Sequence, residues 1–286
     1  MAVNLLSLAR GLIAGILKMR DWRNAVTYST YVIDNPAFAL SGTATNPTTQ
    51  VNAFDSLWYY DTGSEIIWRI GFTPTSAGGA LGTDFLNFTR DYTYFYPDFV
   101  PAEWVLDLYT SSNDVRVNSY FADESMTQVP TGYDFAISVP LIVKYYGNLQ
   151  FIQSYQLYHV CMPKPLRLAE QYLIRAEAHC RLDDGLAAND LTTLSQSRGA
   201  GAVSVGTDWL ETISNERVKE LYMEGFRLND LKRWGKGFER TPNSYSQIEG
   251  NDLKVSADNP LFVWPIPQHE IESPGSEIEG NASNNR

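Results

Sequence analysis

Residues 167–235 constrain the fold more than any other stretch, because three helical patterns follow one another there with short, punctuated joints. In the first, Leu168, Ala169, Tyr172, Leu173, Ala176 and Cys180 recur at helical spacing and form one apolar stripe. Ala169, Ala176 and Ala178 let a neighbouring helix come close. The run Asp183-Asp184-Gly185 breaks the pattern, since Asp and Gly favour turn conformations. A second helix is predicted over 186–198, with Ala187, Ala188, Leu191 and Leu194 on one side, and Gly199 and Gly201 end it. A third opens at Thr207 or Asp208, both good N-caps. Its stripe is Leu210, Ile213, Arg217, Val218, Leu221 and Tyr222, and Gly225 interrupts it.

A second helical hairpin is predicted at the start of the chain. Leu5, Leu6, Ala9, Leu12, Ile13, Ile16 and Leu17 make residues 3–19 amphipathic. Arg10 inside the apolar run and the lack of a basic leader argue against a signal peptide. Residues 22–33 follow, with Trp22, Ala25, Val26, Ser29 and Val32 or Ile33 inward. Laying this hairpin on the later pair matches Gly15 with Ala178, Met19 with Leu182, Asp21 with Asp184 and Ala25 with Ala188. The recurrence is a weak internal repeat of the tetratricopeptide type. The predicted fold is therefore mainly α, a tetratricopeptide-like α-α superhelix with a loop-rich insertion and a few short strands. One domain is expected over 1–286: a hairpin at 3–34, an insertion at 35–162, and C-terminal helices with a tail at 163–286.

The insertion begins with a Thr-, Asn- and Pro-rich linker. Residues 64–72 alternate, with Ile66, Trp68 and Ile70 on one face, and read as a strand. Residues 102–109 read as a helix, and 117–121 and 155–161 as short strands. Between them, 83–104 carries Phe88, Tyr92, Tyr94, Tyr96 and Trp104, with Asn87, Arg90, Asp91 and Asp98 interleaved. Exposed rigid aromatics on loops above a firm scaffold suit a sugar ring, whose C–H face stacks on Tyr or Trp while its hydroxyls meet polar side chains. The same aromatics also suit the insertion's own core, and both readings are open here.

The net charge of −11 argues against a nucleic-acid backbone or an anionic membrane surface as partner. No segment has the ~20 apolar residues that span a bilayer. Cys161 and Cys180 read as buried free thiols. His159, His179 and His269 have no spacing for a shared metal, and neither a nucleophile elbow nor any nucleotide or cofactor fingerprint is present. Glu216, Glu220 and Glu224 recur every fourth residue, where like charges repel in a helix. The nearby cations Arg217, Arg227, Lys232 and Arg233, together with Arg167, Arg175 and Arg198, make these acids an ion-pair network rather than a catalytic pair. Trp234 and Trp264 read as core.

Several of these strings together resemble a known family. Arg167-Leu168-Ala169-Glu170, Arg175-Ala176-Glu177-Ala178, Asn215-Glu216-Arg217, Glu224-Gly225-Phe226-Arg227 and Asp230-Leu231-Lys232-Arg233-Trp234-Gly235 resemble the C-terminal part of the SusD/RagB family, as does the tail 260–271. Ser64, Glu65 and Ile67, the Asp114-Val115-Arg116 step and Lys144-Tyr145 fit the same likeness. The resemblance implies a non-catalytic glycan-binding lipoprotein of the Bacteroidetes outer membrane that delivers its ligand to a SusC-like TonB-dependent porin. It also implies that the family's N-terminal portion, with its signal and lipid anchor, is lacking here. Ligand-binding residues are expected among Asn87, Phe88, Arg90, Tyr92, Tyr94, Tyr96 and Trp104. The rival readings are a helical-repeat scaffold for a protein partner and, less favoured, a glycoside hydrolase.

Overall fold

The computed structural model describes residues 20–76, 78–87, 97–128, 136–151, 159–241 and 254–284. The chain forms two compact units, Met1–Glu224 and Gly225–Arg286. The helix predicted over 3–19 lies outside the described residues.

The first unit begins with α1, Trp22–Ile33, whose N-cap Asp21 accepts from the Asn24 amide at 3.1 Å. Ala25, Ser29 and Val32 are buried one helical turn apart, as the spacing predicts. The insertion supplies short elements: α2 (Ser56–Tyr59), β1 (Ile66–Trp68), α3 (Thr83–Leu86), α4 (Glu103–Leu106), α5 (Val115–Tyr120), β2 (Phe121–Gln128) and β3 (Ala136–Ile142). Then come β4 (Leu166–Arg167), α6 (Leu168–Leu182), α7 (Ala187–Ser197) and α8 (Trp209–Glu220). Ala25 packs against Ile174 and Ala178, so small side chains set the α1–α6 approach. Asp183 closes α6 in the left-handed region, Gly185 follows with φ +76°, and Asp184 accepts from the Leu186 amide at 3.2 Å. The described residues are mainly helical with few short strands.

Several local expectations change. The strand predicted over 64–72 is only three residues long, pairing Ile66 with Arg167 and Trp68 with Leu166, and Ile70 is exposed. The helix predicted over 102–109 shrinks to α4. Residues 117–120 are helical rather than extended, because Asp114 accepts from the Arg116 amide at 3.1 Å and starts a helix over the β-branched residues. Of 155–161, residues 155–158 lie outside the described residues and 159–161 form no strand. Glu224 does not continue the stripe of Glu216 and Glu220. α8 ends at Glu220, and Met223 turns left-handed at φ 57°, which takes Glu224 off the helical stripe.

The core of this unit is aromatic. Trp58 meets Phe54, Tyr120 and Tyr145 edge-on at 6.2, 5.9 and 6.0 Å between centroids. Cys161 is buried and Cys180 half-buried, both free.

The second unit contains α9 (Arg227–Trp234), β5 (Phe238–Glu239), β6 (Lys254–Val255) and α10 (Gln268–Ile271). Leu231, Val255 and Phe262 form its core, with Phe238 against them. Trp264 is not core: it is 82% exposed. Phe262 is the buried anchor of that tail, whereas Trp264 contributes its carbonyl to Asn281 at 2.8 Å. Trp234 is half-buried.

Candidate functional site

Of the predicted ligand-binding residues, Phe88, Arg90, Tyr92, Tyr94 and Tyr96 lie outside the described residues. The flanks of that segment are defined. Asn87 is exposed at the end of α3, and Trp104 on α4 is 43% exposed. Phe99 is more exposed still and leans on Phe85 at 6.1 Å. Phe85 itself is core, stacked on Tyr145 at 5.8 Å. The two flanks meet where the Asp98 amide donates to the Asp84 carbonyl at 2.9 Å.

The base of this excursion is fixed by a glycine. The Gly82 amide donates to the His159 carbonyl at 3.1 Å. A Cβ at Gly82 would stand 1.9 Å from the Tyr145 carbonyl oxygen, so no other residue fits without moving backbone. Nearby, Asp61 accepts from Lys164 at 2.5 Å, from the Asn148 side chain at 2.8 Å and from the Met162 amide at 3.1 Å. His159 holds the Tyr146 carbonyl through Nδ1 at 2.9 Å, and burial keeps its imidazole below the ordinary value.

Beneath lies a buried ionic hub. Arg167 reaches Glu65 at 2.5 Å, Glu220 at 3.0 Å and Glu224 at 2.6 Å. Arg198 reaches Glu65 at 2.9 Å and Glu220 at 2.8 Å, and also donates to the Ser41 carbonyl. Arg116 bridges Asp114 at 2.7 Å and Glu220 at 3.3 Å. Lys144 donates to Glu224 at 2.7 Å and to the Tyr222 carbonyl at 2.8 Å. Its ammonium also stands over the rings of Trp58 and Tyr120, at 4.3 and 4.1 Å. Four cations thus face four carboxylates, and every side chain is buried.

The electrostatics follow from this balance. Burial raises Glu220, but Arg198, Arg167 and Arg116 outweigh it and hold the carboxyl well below its ordinary value. Glu224 is lowered in the same way, with Arg167 and Lys144 overcoming burial. Burial, opposed chiefly by Glu224, pulls Lys144 down to about 8. Carboxylates so held carry no proton to donate at neutral pH, which removes Glu220 and Glu224 as general acids. Among the described residues, no group of three or more His, Cys, Asp or Glu is placed to hold a metal ion.

Arg167 and Arg198 join the acids as the sequence suggests. Arg175 goes instead to Asp190 at 2.6 Å and Thr30 at 3.0 Å, Glu216 takes Lys219 at 2.5 Å, and Arg233 takes Asp230 at 2.9 Å. The pairing roles of Glu65 and Lys144 and the Asp61 anchor are not evident from spacing. One cue was present: Lys144 interrupts an otherwise apolar run from Leu141 to Tyr146.

Residues 162–278 match the model of the SusD family. No match was found among curated proteins. Solved structures share the fold. A SusD superfamily protein from Bacteroides thetaiotaomicron superposes with a TM-score of 0.77 at 24% identity, over 97% of this chain and 60% of that one. A surface glycan-binding protein A from the same organism gives 0.69 at 20% identity, over 96% and 63%. A SusD-like carbohydrate-binding protein from Bacteroides vulgatus gives 0.61 at 22%, over 88% and 50%. The chain therefore spans less than two thirds of each of these structures.

Proposed function

We propose that this chain is a SusD-type protein, a reading supported by the match of residues 162–278 to the SusD family model, and that it binds an oligosaccharide or polysaccharide at a bacterial cell surface and passes it to a SusC-like TonB-dependent porin. Binding is non-covalent and no chemical step is involved. The observation that supports this reading is the exposure of Trp104, Phe99 and Asn87 on the two flanks of the segment, which are tied by the Asp98 amide to the Asp84 carbonyl. Rings fixed at their base stack on a sugar face with little ordering cost, while Asn87 offers both a donor and an acceptor to hydroxyls. Phe88, Arg90, Tyr92, Tyr94 and Tyr96 are further ligand contacts in this reading. Each contact is weak, and repetition along a polymer supplies avidity.

Attachment to the outer membrane is through a lipid anchor in this reading. Among the described residues, no helix is long and apolar enough to cross a membrane.

The test is affinity electrophoresis and calorimetry against a panel of neutral polysaccharides, using the wild type, Trp104→Ala and a Tyr92→Ala/Tyr94→Ala variant. The expected result is binding of at least one polysaccharide, weakened about tenfold or more in both variants, with unchanged melting temperature. Binding that is indifferent to both changes would move the ligand elsewhere. Capture of a protein partner with no polysaccharide bound would favour the helical-repeat scaffold.

A further inference from the structure

The second unit presents a bare tryptophan on a fixed backbone. Trp264 is 82% exposed, and its neighbour Val263 is 48% exposed. The main chain beneath them is held from several sides. The Asn281 side chain donates to the Trp264 carbonyl at 2.8 Å. Asn284 accepts from the Ile266 amide at 3.0 Å and donates to the Ile266 carbonyl at 2.8 Å. The buried Ser283 hydroxyl reaches the Pro260 and Val263 carbonyls. An indole on so fixed a support has little backbone freedom to lose on binding, which is the property of an interface anchor rather than of a frayed end.

The unit treats its other rings differently. Arg233 lies over Trp234 at 4.4 Å and Arg240 over Phe238 at 5.1 Å. Among the described residues, no cation and no ring stands against Trp264.

Charge selects the occupant. The chain leaves Trp264, passes through α10 and returns to the Trp264 carbonyl at Asn281. Its far side is closed by the Ser276 hydroxyl, which donates to the Glu270 carbonyl at 2.7 Å. Over 264–281 the acids are Glu270, Glu272, Glu277 and Glu279, and there is no lysine or arginine. All four are exposed. Glu270 takes His269 at 3.2 Å, and Glu272 accepts from Gln268 at 2.5 Å. Glu277 and Glu279 have no side-chain partner among the described residues. An anionic partner is repelled by this loop, and a neutral apolar one gains nothing from its carboxylates. A guanidinium or ammonium gains from both the face of the indole and the negative loop. The alkyl stem of such a side chain lies on apolar surface, which Val263 supplies. A second copy of the chain is disfavoured, because the net charge of −11 sets copies against each other.

We propose that Trp264 and the loop 264–281 form a docking surface for an arginine- or lysine-bearing segment of another protein, with the cation stacked on the Trp264 ring and its charge met by Glu277 and Glu279.

The test uses the intact chain and three capped octapeptides of glycine and serine carrying two arginines, two glutamines or two glutamates, with D-glucose as a fourth probe. The Trp264 indole N–H, identified by its loss in Trp264→Leu, is followed by NMR together with the Glu277 and Glu279 amides. The arginine peptide is expected to shift all three with saturation in the millimolar range, less tightly as salt rises. The other probes are expected to leave them unchanged. Glu277→Gln/Glu279→Gln should raise the dissociation constant about threefold or more, and Trp264→Leu should abolish saturation at the two amides. Both variants should melt as the wild type does, since the altered side chains are exposed. No saturation with the arginine peptide, an equal response to the glutamine peptide or to D-glucose, or saturation that survives Trp264→Leu would each overturn the proposal. So would self-association in sedimentation that Trp264→Leu removes, which would give the surface to a second copy. Trp264→Leu should leave polysaccharide binding unchanged, so this surface and the glycan reading stand or fall separately.

Discussion

Glu220→Gln tests the ionic hub most directly. The Glu220 carboxylate accepts from Arg116 at 3.3 Å, from Arg167 at 3.0 Å, and from Arg198 at 3.1 and 2.8 Å. Gln keeps the shape, but one oxygen becomes an NH2 that faces guanidinium donors. It also leaves four buried cations against three carboxylates. Losing one member of a buried ionic group costs about 3–5 kcal/mol. At roughly 2–4 °C per kcal/mol for a unit of this size, the melting temperature should fall by about 6–20 °C. Arg198→Met alone leaves the opposite excess and should cost a similar amount. The double variant restores balance: Arg116 keeps Asp114, Arg167 keeps Glu65 and Glu224, and Lys144 keeps Glu224. It should therefore be more stable than the sum of the single losses by about 2 kcal/mol or more. Denaturant melts followed by circular dichroism on all four proteins measure this. Single losses under about 1 kcal/mol, or strict additivity, would refute the claim that charge balance governs the hub.

Three further outcomes follow from the same geometry. Glu220 and Glu224 are held below the unfolded value of 4.5, so as pH falls the unfolded chain takes up these protons first; their stabilisation is complete above about that pH and is lost as pH drops toward the folded values, and a melting-temperature profile in acid should be shallower for Glu224→Gln. Gly82→Ala forces a methyl onto the Tyr145 carbonyl, which should cost about 1–3 kcal/mol and speed amide hydrogen exchange in α3 relative to α6. Burial pushes the Cys161 and Cys180 thiols up to about 12 and about 11, so thiol labelling at pH 8 should be about a hundredfold slower than in denatured protein; equal rates would contradict the protonated state of buried Cys161 and half-buried Cys180.

The helices were legible where one signal dominates. In α1, α6 and α7 the apolar spacing and the breakers agree, and the boundaries fall within a residue or two of expectation. The insertion was less legible because its elements are only a few residues long and are set by distant partners. Residues 117–120 have strand-like side chains, yet Asp114 caps them into a helix and Arg116 is drawn into the hub. Glu224 matched a helical stripe, but its pull toward Arg167 and Lys144 belongs to the turn after α8. The three acids were recognisable as an ionic network from the arginines near them. The partners they chose were not, because Glu65 and Lys144 come close only after the insertion has folded back.

The members of the charged hub come from widely separated parts of the chain: Glu65, Asp114, Lys144, Arg167, Arg198 and Glu220. Each intervening stretch leaves one knot and returns to another. Doubling the length of such a stretch adds only about 0.6 kcal/mol of closure cost. A longer or shorter excursion therefore costs the hub little, so long as its two endpoints keep their charged partners.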